Sequence, residues 1–126
     1  MRLILDTGAL IALDRNDRAM WRRLKAALLT GDVPLSHGGV LGQAWRGGGP
    51  RHALLSRALE GIDIRPLDDA LGRAAGELLA AAKARDVIDA ALVLLATDGD
   101  VVVTSDPEDI EPLTLTSGRH VDIVRA

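Results

Sequence analysis

Five aspartates hold positions where they could act together. Asp6 follows Leu3-Ile4-Leu5, Asp86 and Asp89 open an apolar run, and Asp106 and Asp109 follow Val101-Val102-Val103. Two of these groups stand where a buried strand should end, a common place for α/β active sites. Carboxylates from distant parts of a chain that meet at one sheet edge suggest a divalent metal site. Mg²⁺ or Mn²⁺ takes hard oxygen ligands, often one or two direct carboxylates, with water and substrate phosphate filling the rest. Such an ion lowers the pKa of its water and stabilises charge building on a phosphodiester. Asp89 discriminates best, because Ala90-Ala91-Leu92-Val93-Leu94-Leu95-Ala96 follows it directly. A carboxylate at the mouth of a buried helix loses solvation unless it is paired or bound to a cation.

Each acid also has a plain structural explanation. Asp6, ahead of Thr7-Gly8, suits a helix N-cap. Asp86 and Asp89 are spaced like a cap and its third helical residue, and Asp106-Pro107 with Glu108 and Asp109 reads as a cap with an acidic first turn. Capping does not explain why several caps should converge. Other residues promise less. His37, His52 and His120 lack ligand spacing and read as surface or loop histidines. Ser36 and Ser105 have no His–acid relay. Gly47-Gly48-Gly49 lacks the Lys-Ser/Thr of a phosphate loop. Trp45 beside Arg46 could stack a base, although packing is the plainer reading, and two tryptophans do not make a stacking platform.

The elements that must position the acids alternate. Strands are predicted over residues 2–5, 33–35, 62–64, 101–103 and 121–124, the second placed poorly for a central position because of Pro34. Helices are predicted over Ala9 to Leu13, from an Asn16 cap to about Leu29, and from a Ser36 cap through Ala44. Another follows the Gly-rich break with Leu54, Leu55, Ala58 and Leu59 on its face. Residues 69–84 form the clearest amphipathic helix, capped by Asp68, and residues 87–97 a nearly all-apolar, buried one. This alternation argues for an α/β fold, a parallel sheet covered on both faces, with Asp6 and Asp106 just past two strand ends.

At 126 residues the chain suits a single domain with a real core. Apolar residues make up 48%, but no run spans a bilayer, the start lacks a signal peptide's apolar stretch, and there is no Cys. These features predict a soluble, cytosolic (cytoplasmic) protein. The net charge of −3 hides an asymmetry: residues 1–59 carry nine Arg and Lys against four acids, and residues 60–126 carry six against fourteen. One half could attract a polyanion while the other supplies acids for a cation. Thirteen of the fifteen bases are Arg, which forks onto phosphates better than Lys.

Taken in order, Leu3-Ile4-Leu5-Asp6-Thr7-Gly8-Ala9-Leu10, Val40-Leu41-Gly42-Gln43-Ala44-Trp45-Arg46-Gly47-Gly48, Asp86-Val87-Ile88-Asp89-Ala90 and Thr104-Ser105-Asp106 resemble the PIN-domain family, most closely its VapC-type toxins. The resemblance runs over essentially the whole chain. It implies a three-layer fold with a parallel sheet of four or five strands, and a Mg²⁺- or Mn²⁺-dependent endoribonuclease. It further implies a cognate VapB-type antitoxin and a homodimer. Asp6 matches the first metal-binding acid, Asp89 the third with Asp86 a close second, and Asp106 the fourth. Thr7 and Thr104 would orient carboxylates or water. Gln43 stands where the family usually carries Glu. A Gln carbonyl can hold a water but adds no charge and cannot act as a base, so metal affinity should drop unless Asp86 or Asp109 compensates.

Two readings follow. In one, Asp6, Asp89 and Asp106 cut RNA with a metal-activated water, and Arg15, Arg18, Arg22, Arg46 and Arg51 position its backbone. In the other, Gln43 leaves a PIN-like module that binds RNA or an antitoxin without efficient cleavage. A receiver or haloacid-phosphatase domain fits poorly, because Asp6 stands alone with Gly8 two residues on, and Arg125, not Lys, follows the last strand.

Overall fold

A computed structural model describes all 126 residues. Three consecutive buried residues make β1 (Leu3–Leu5), and β4 (Val101–Thr104) is buried throughout. Such unbroken apolar runs belong to inner strands of a sheet covered on both faces. Around them lie β2 (Leu35–His37), β3 (Asp63–Arg65) and β5 (Asp122–Arg125), whose edge positions leave them partly exposed in the last two cases. The five strands are all parallel, in the order β3-β2-β1-β4-β5. The order therefore reverses between β1 and β4, and the crevice outside the strand C-termini at such a reversal is the usual ligand site of open α/β sheets.

Seven helices pack around the sheet. α1 (Thr7–Asp14) contacts α2 (Arg18–Leu29), α3 (Gly38–Ala44) and α4 (Ala53–Leu59). The others, α5 (Asp69–Ala82), α6 (Val87–Leu95) and α7 (Pro107–Ser117), pack on one another. α6 is the innermost, with Ala90 to Val93 fully buried, as its apolar sequence requires. The core joins these to Ile4, Leu5, Leu10, Leu13, Val102 and Ile110. No helix is long and apolar enough to cross a membrane.

Several expectations need correction. The second strand lies two residues later than expected and is internal, because Pro34 sits ahead of it and needs to contribute only its carbonyl, which accepts the Asp63 N–H at 2.8 Å. Ser36 is thus a strand residue, its hydroxyl donating to the Leu5 carbonyl at 2.8 Å, and the cap of α3 is His37. The cap of α2 is Asp17, and Asn16 instead takes a left-handed turn with φ of 60°. α7 runs on through Pro112, which forfeits one helical hydrogen bond, because Ile110 and Leu113 are buried.

Candidate metal and active site

The acids occupy the switch point. Asp6 ends β1 and caps α1, its Oδ1 accepting the Ala9 N–H at 3.0 Å. Its Oδ2 accepts the Ser105 N–H, at 3.3 Å, from the turn after β4. That turn is held by Thr104, a buried residue whose hydroxyl oxygen accepts the Asp106 N–H at 2.9 Å. Gly8 permits the close approach: a Cβ there would lie 2.4 Å from the Ser105 hydroxyl oxygen.

Asp86 caps α6 by accepting the N–H groups of Ile88 and Asp89 at 2.9 and 3.1 Å, so one of its oxygens is committed to structure. Asp106 differs from the capping expectation. It stands at the start of α7, but its carboxylate caps nothing and accepts only the Ser105 hydroxyl at 3.4 Å. Asp109 lies exposed in the first turn of α7.

Asp89 is the least satisfied of the five. It is half-buried in the first turn of α6, and no hydrogen bond or ion pair reaches its carboxyl group. Burial pushes its pKa up to about 7, and the negative fields of Asp86, Asp6, Asp109 and Asp106 push in the same direction. The same four acids that the sequence singled out are therefore close enough to repel it. Asp6 is raised as well, by burial, against the lowering effect of hydrogen bonds from Thr104 and from the N–H groups of Ala9, Ser105 and Gly8.

As the side chains lie, no three acids or histidines are grouped as ligands of one ion. The donor chemistry nevertheless fits a hard divalent cation. Anionic oxygens that destabilise one another when ionised are the groups a cation relieves, and Mg²⁺ commonly takes only one or two direct carboxylates with water completing its shell. A cleft of about 400 Å³ opens beside Asp89, with Asp86, Glu108 and Asp109 along it and Lys83 and Arg85 at its side. Asp6 and Asp106 do not line that cleft; they approach Asp89 from the sheet edge.

No protein-family model matches this chain, and no curated protein matches it. The fold and the site thus rest on the chain's own residues.

Thr7 and Gln43 are brought together, the Thr7 hydroxyl donating to Gln43 Oε1 at 2.5 Å. The residue that replaces the expected Glu therefore sits next to the Asp6 turn. The basic candidates scatter. Arg15 is exposed just past the end of α1, Arg51 lies exposed in the 3₁₀ turn Gly49–His52, and the Arg46 guanidinium bonds the Gly42 and Trp45 carbonyls at 3.0 and 2.8 Å. Both tryptophans pack: Trp45 stacks on His52 with ring centres 4.8 Å apart, and the Trp21 indole N–H donates to the Leu13 carbonyl at 3.0 Å.

Two histidines contradict the surface reading, and one of them bears on the site. His52 is buried, bonded to Asp14 at 2.6 Å and to the Arg46 N–H at 2.9 Å. His37 is completely buried. Its Nδ1 accepts the Gly39 and Val40 N–H groups at 3.0 and 3.4 Å, which places the proton on Nε2, 2.9 Å from the Ile88 carbonyl. Burial lowers its pKa, and the Ile88 bond partly opposes that. His37 thereby fastens the end of β2 to the residue before Asp89. Spacing could not reveal this, because the partner is a backbone carbonyl; the one signal was His37 directly followed by Gly38-Gly39. A Cβ on Gly39 would come within 2.5 Å of Ile88 Cδ1.

Proposed function

We propose that this chain is a Mg²⁺- or Mn²⁺-dependent endoribonuclease of PIN-domain type, acting as a VapC-like toxin. The observation that carries this reading is Asp89, an unpaired carboxyl group raised to about 7 by burial and by four acids: Asp86 at the cap of its own helix, Asp6 at the end of β1, and Asp106 and Asp109 at the start of α7. A site built this way stores unfavourable charge that a divalent cation and a phosphodiester can use. Asp6 and Asp89 would hold the ion, with Asp106 and Asp86 adjoining. When bound, the ion supplies charge neutralisation for the phosphodiester and an acidified water.

The chain's own residues prepare that chemistry. The Ala9 and Ser105 N–H groups fix both Asp6 oxygens, and the Thr104 hydroxyl fixes the turn that carries Asp106. His37 sets the start of α6 and so the direction of Asp89. The partners of such a protein are RNA, a VapB-type antitoxin and a second copy of the chain, and its place is the cytoplasm. Cleavage of RNA should require Mg²⁺ or Mn²⁺ and disappear in Asp6→Asn and in Asp89→Asn. Cleavage that survives both substitutions, or persists in excess chelator, sinks the reading.

Gln43 supports a second reading, a module that binds RNA or antitoxin with little cleavage. Its Oε1 already accepts a hydrogen bond from the Thr7 hydroxyl, and a Glu there would keep that bond while adding the missing charge. Gln43→Glu decides between the two: a gain of tenfold or more (about 1.4 kcal/mol) marks the natural protein as impaired, and no gain marks Gln43 as competent.

A further inference from the structure

The largest cavity of the molecule, about 520 Å³, lies away from the acids, between α2 and α4. Arg18, Arg22 and Lys25 line it from one face of α2, at positions i, i+4 and i+7, and Arg57 faces them from α4. All four are exposed, no acid lines the groove, and none of the four takes part in any of the chain's ion pairs. In a protein of net charge −3 this is a local excess of four positive charges held without a partner. Trp21 and Leu54 add apolar surface to the same groove, and the bond from the Trp21 indole to Leu13 fixes the ring.

Only α1 separates Asn16 of this groove from Asp6. A second cleft, of about 460 Å³, runs along one face of α1 past Gly8, Ile11, Ala12 and Arg15, and includes Ser105. Ser105 binds Asp6, and Asn16, which follows Arg15, opens the basic groove. Asp17 is the one acidic side chain on this path, which Ala126 also lines, and its carboxylate is used in capping α2, through the Met20 N–H at 2.9 Å. Eight helical residues cover roughly 12 Å. The path from Asp6 to Arg18 is therefore longer than one nucleotide.

We propose that the α2–α4 groove is a second binding site for single-stranded RNA, holding backbone phosphates on Arg18, Arg22, Lys25 and Arg57 with a base against Trp21. It rests on the nuclease reading for its direction, since the strand would run from the acids along α1 into the groove. Arginine forks suit phosphate oxygens, and an aromatic face accepts any base, so the contact is independent of sequence. An acidic protein segment would use the charges, but it would gain nothing from a cleft along α1 that leads towards Asp6.

Binding can be tested without cleavage, in chelator, with a labelled RNA of about twelve nucleotides. The protein should bind it, and Arg22→Glu with Arg57→Glu should weaken binding tenfold or more while circular dichroism stays unchanged. The milder Arg22→Gln should lie between. Removing two phosphate contacts should also flatten the salt dependence by about 1.4 in log–log slope. In a Trp45→Phe background, where Trp21 is the only fluorophore, RNA should quench the emission. Because binding in chelator needs neither metal nor cleavage, failure of the nuclease reading and failure of the groove are told apart. Unaltered affinity in the double variant, an unquenched Trp21, or equal binding of a polyglutamate peptide at the same ionic strength overturns the proposal.

Discussion

A carboxyl group with a pKa near 7 ties the stability of this protein to pH and to cations. Asp89 is raised from 3.8 to about 7 in the folded chain, so the folded state binds its proton more tightly than the unfolded state does. Stability from this group is complete below pH 3.8 and is lost as pH rises through 7. Asp89→Asn removes the penalty. In metal-free buffer at pH 8 the variant should be more stable by about 2 kcal/mol, several degrees in Tm, with no difference near pH 4. Thermal melts at the two pH values check this. Adding Mn²⁺ at pH 8 should raise the Tm of the natural protein and leave that of Asp89→Asn nearly unmoved. At the same scale, Gly8→Ala should lose most activity and about 1–3 kcal/mol of stability, since its methyl group overlaps the Ser105 side chain and presses on the turn that orients Asp6. Chemical denaturation together with a cleavage assay reads both effects.

Between elements, buried polar side chains set the register of the site. His37 joins β2, α3 and α6 through three backbone groups. His37→Ala leaves them unpaired in the interior and should cost about 2 kcal/mol. It should also lower metal affinity more than Ser56→Ala, an exposed substitution on α4, does; calorimetric titration with Mn²⁺ compares them. Because burial lowers the pKa of His37, the stability it contributes is present above pH 6.5 and is lost as pH falls below that value, opposite in sign to Asp89. Asp100 plays the corresponding part at the other end of β1, accepting from the Arg2 N–H at 2.9 Å and guanidinium at 3.2 Å and from the Thr97 N–H at 2.9 Å. Asp100→Ala should destabilise by about 2–3 kcal/mol without changing the acid site, as denaturation and metal titration would show.

These contacts mark how far the sequence could be read. Apolar runs and helical spacing located the five strands and the amphipathic helices, because burial imposes those periods directly. The five acids were legible because they follow strand ends or precede an apolar helix. What escaped were side chains whose partners are backbone groups of remote segments. His37, His52 and Ser36 carry no periodic signature, and Pro34 misled because its effect depends on where the strand begins. The chemical state of Asp89 was foreseeable in kind, since α6 had to be buried and Asp86 stands three residues before it, but Asp6, Asp106 and Asp109 come near it only through the sheet order.

For the whole molecule, charge is divided between the acidic sheet edge and the basic α2–α4 groove, with α1 running between them. A protein that holds RNA at both ends of this path should show a length threshold. Fragments of about four nucleotides should be cut equally by the natural protein and by the Arg22→Glu, Arg57→Glu variant, whereas long RNA should show a raised KM in the variant alone. Steady-state cleavage of a length series measures it.

The inner position of β4, beside β1, has a consequence for how the protein comes into being. β1 is made first, but its neighbour β4 ends at Thr104, and the Ser105 N–H that steadies Asp6 comes 99 residues after it. A chain still being translated therefore has its first acid long before it has the site. It can acquire the assembled acid edge only after β4 and the turn that follows it have left the ribosome. On the proposed nuclease reading, RNA beside the ribosome is safe from the emerging chain until Ser105 has followed Asp6 out of it.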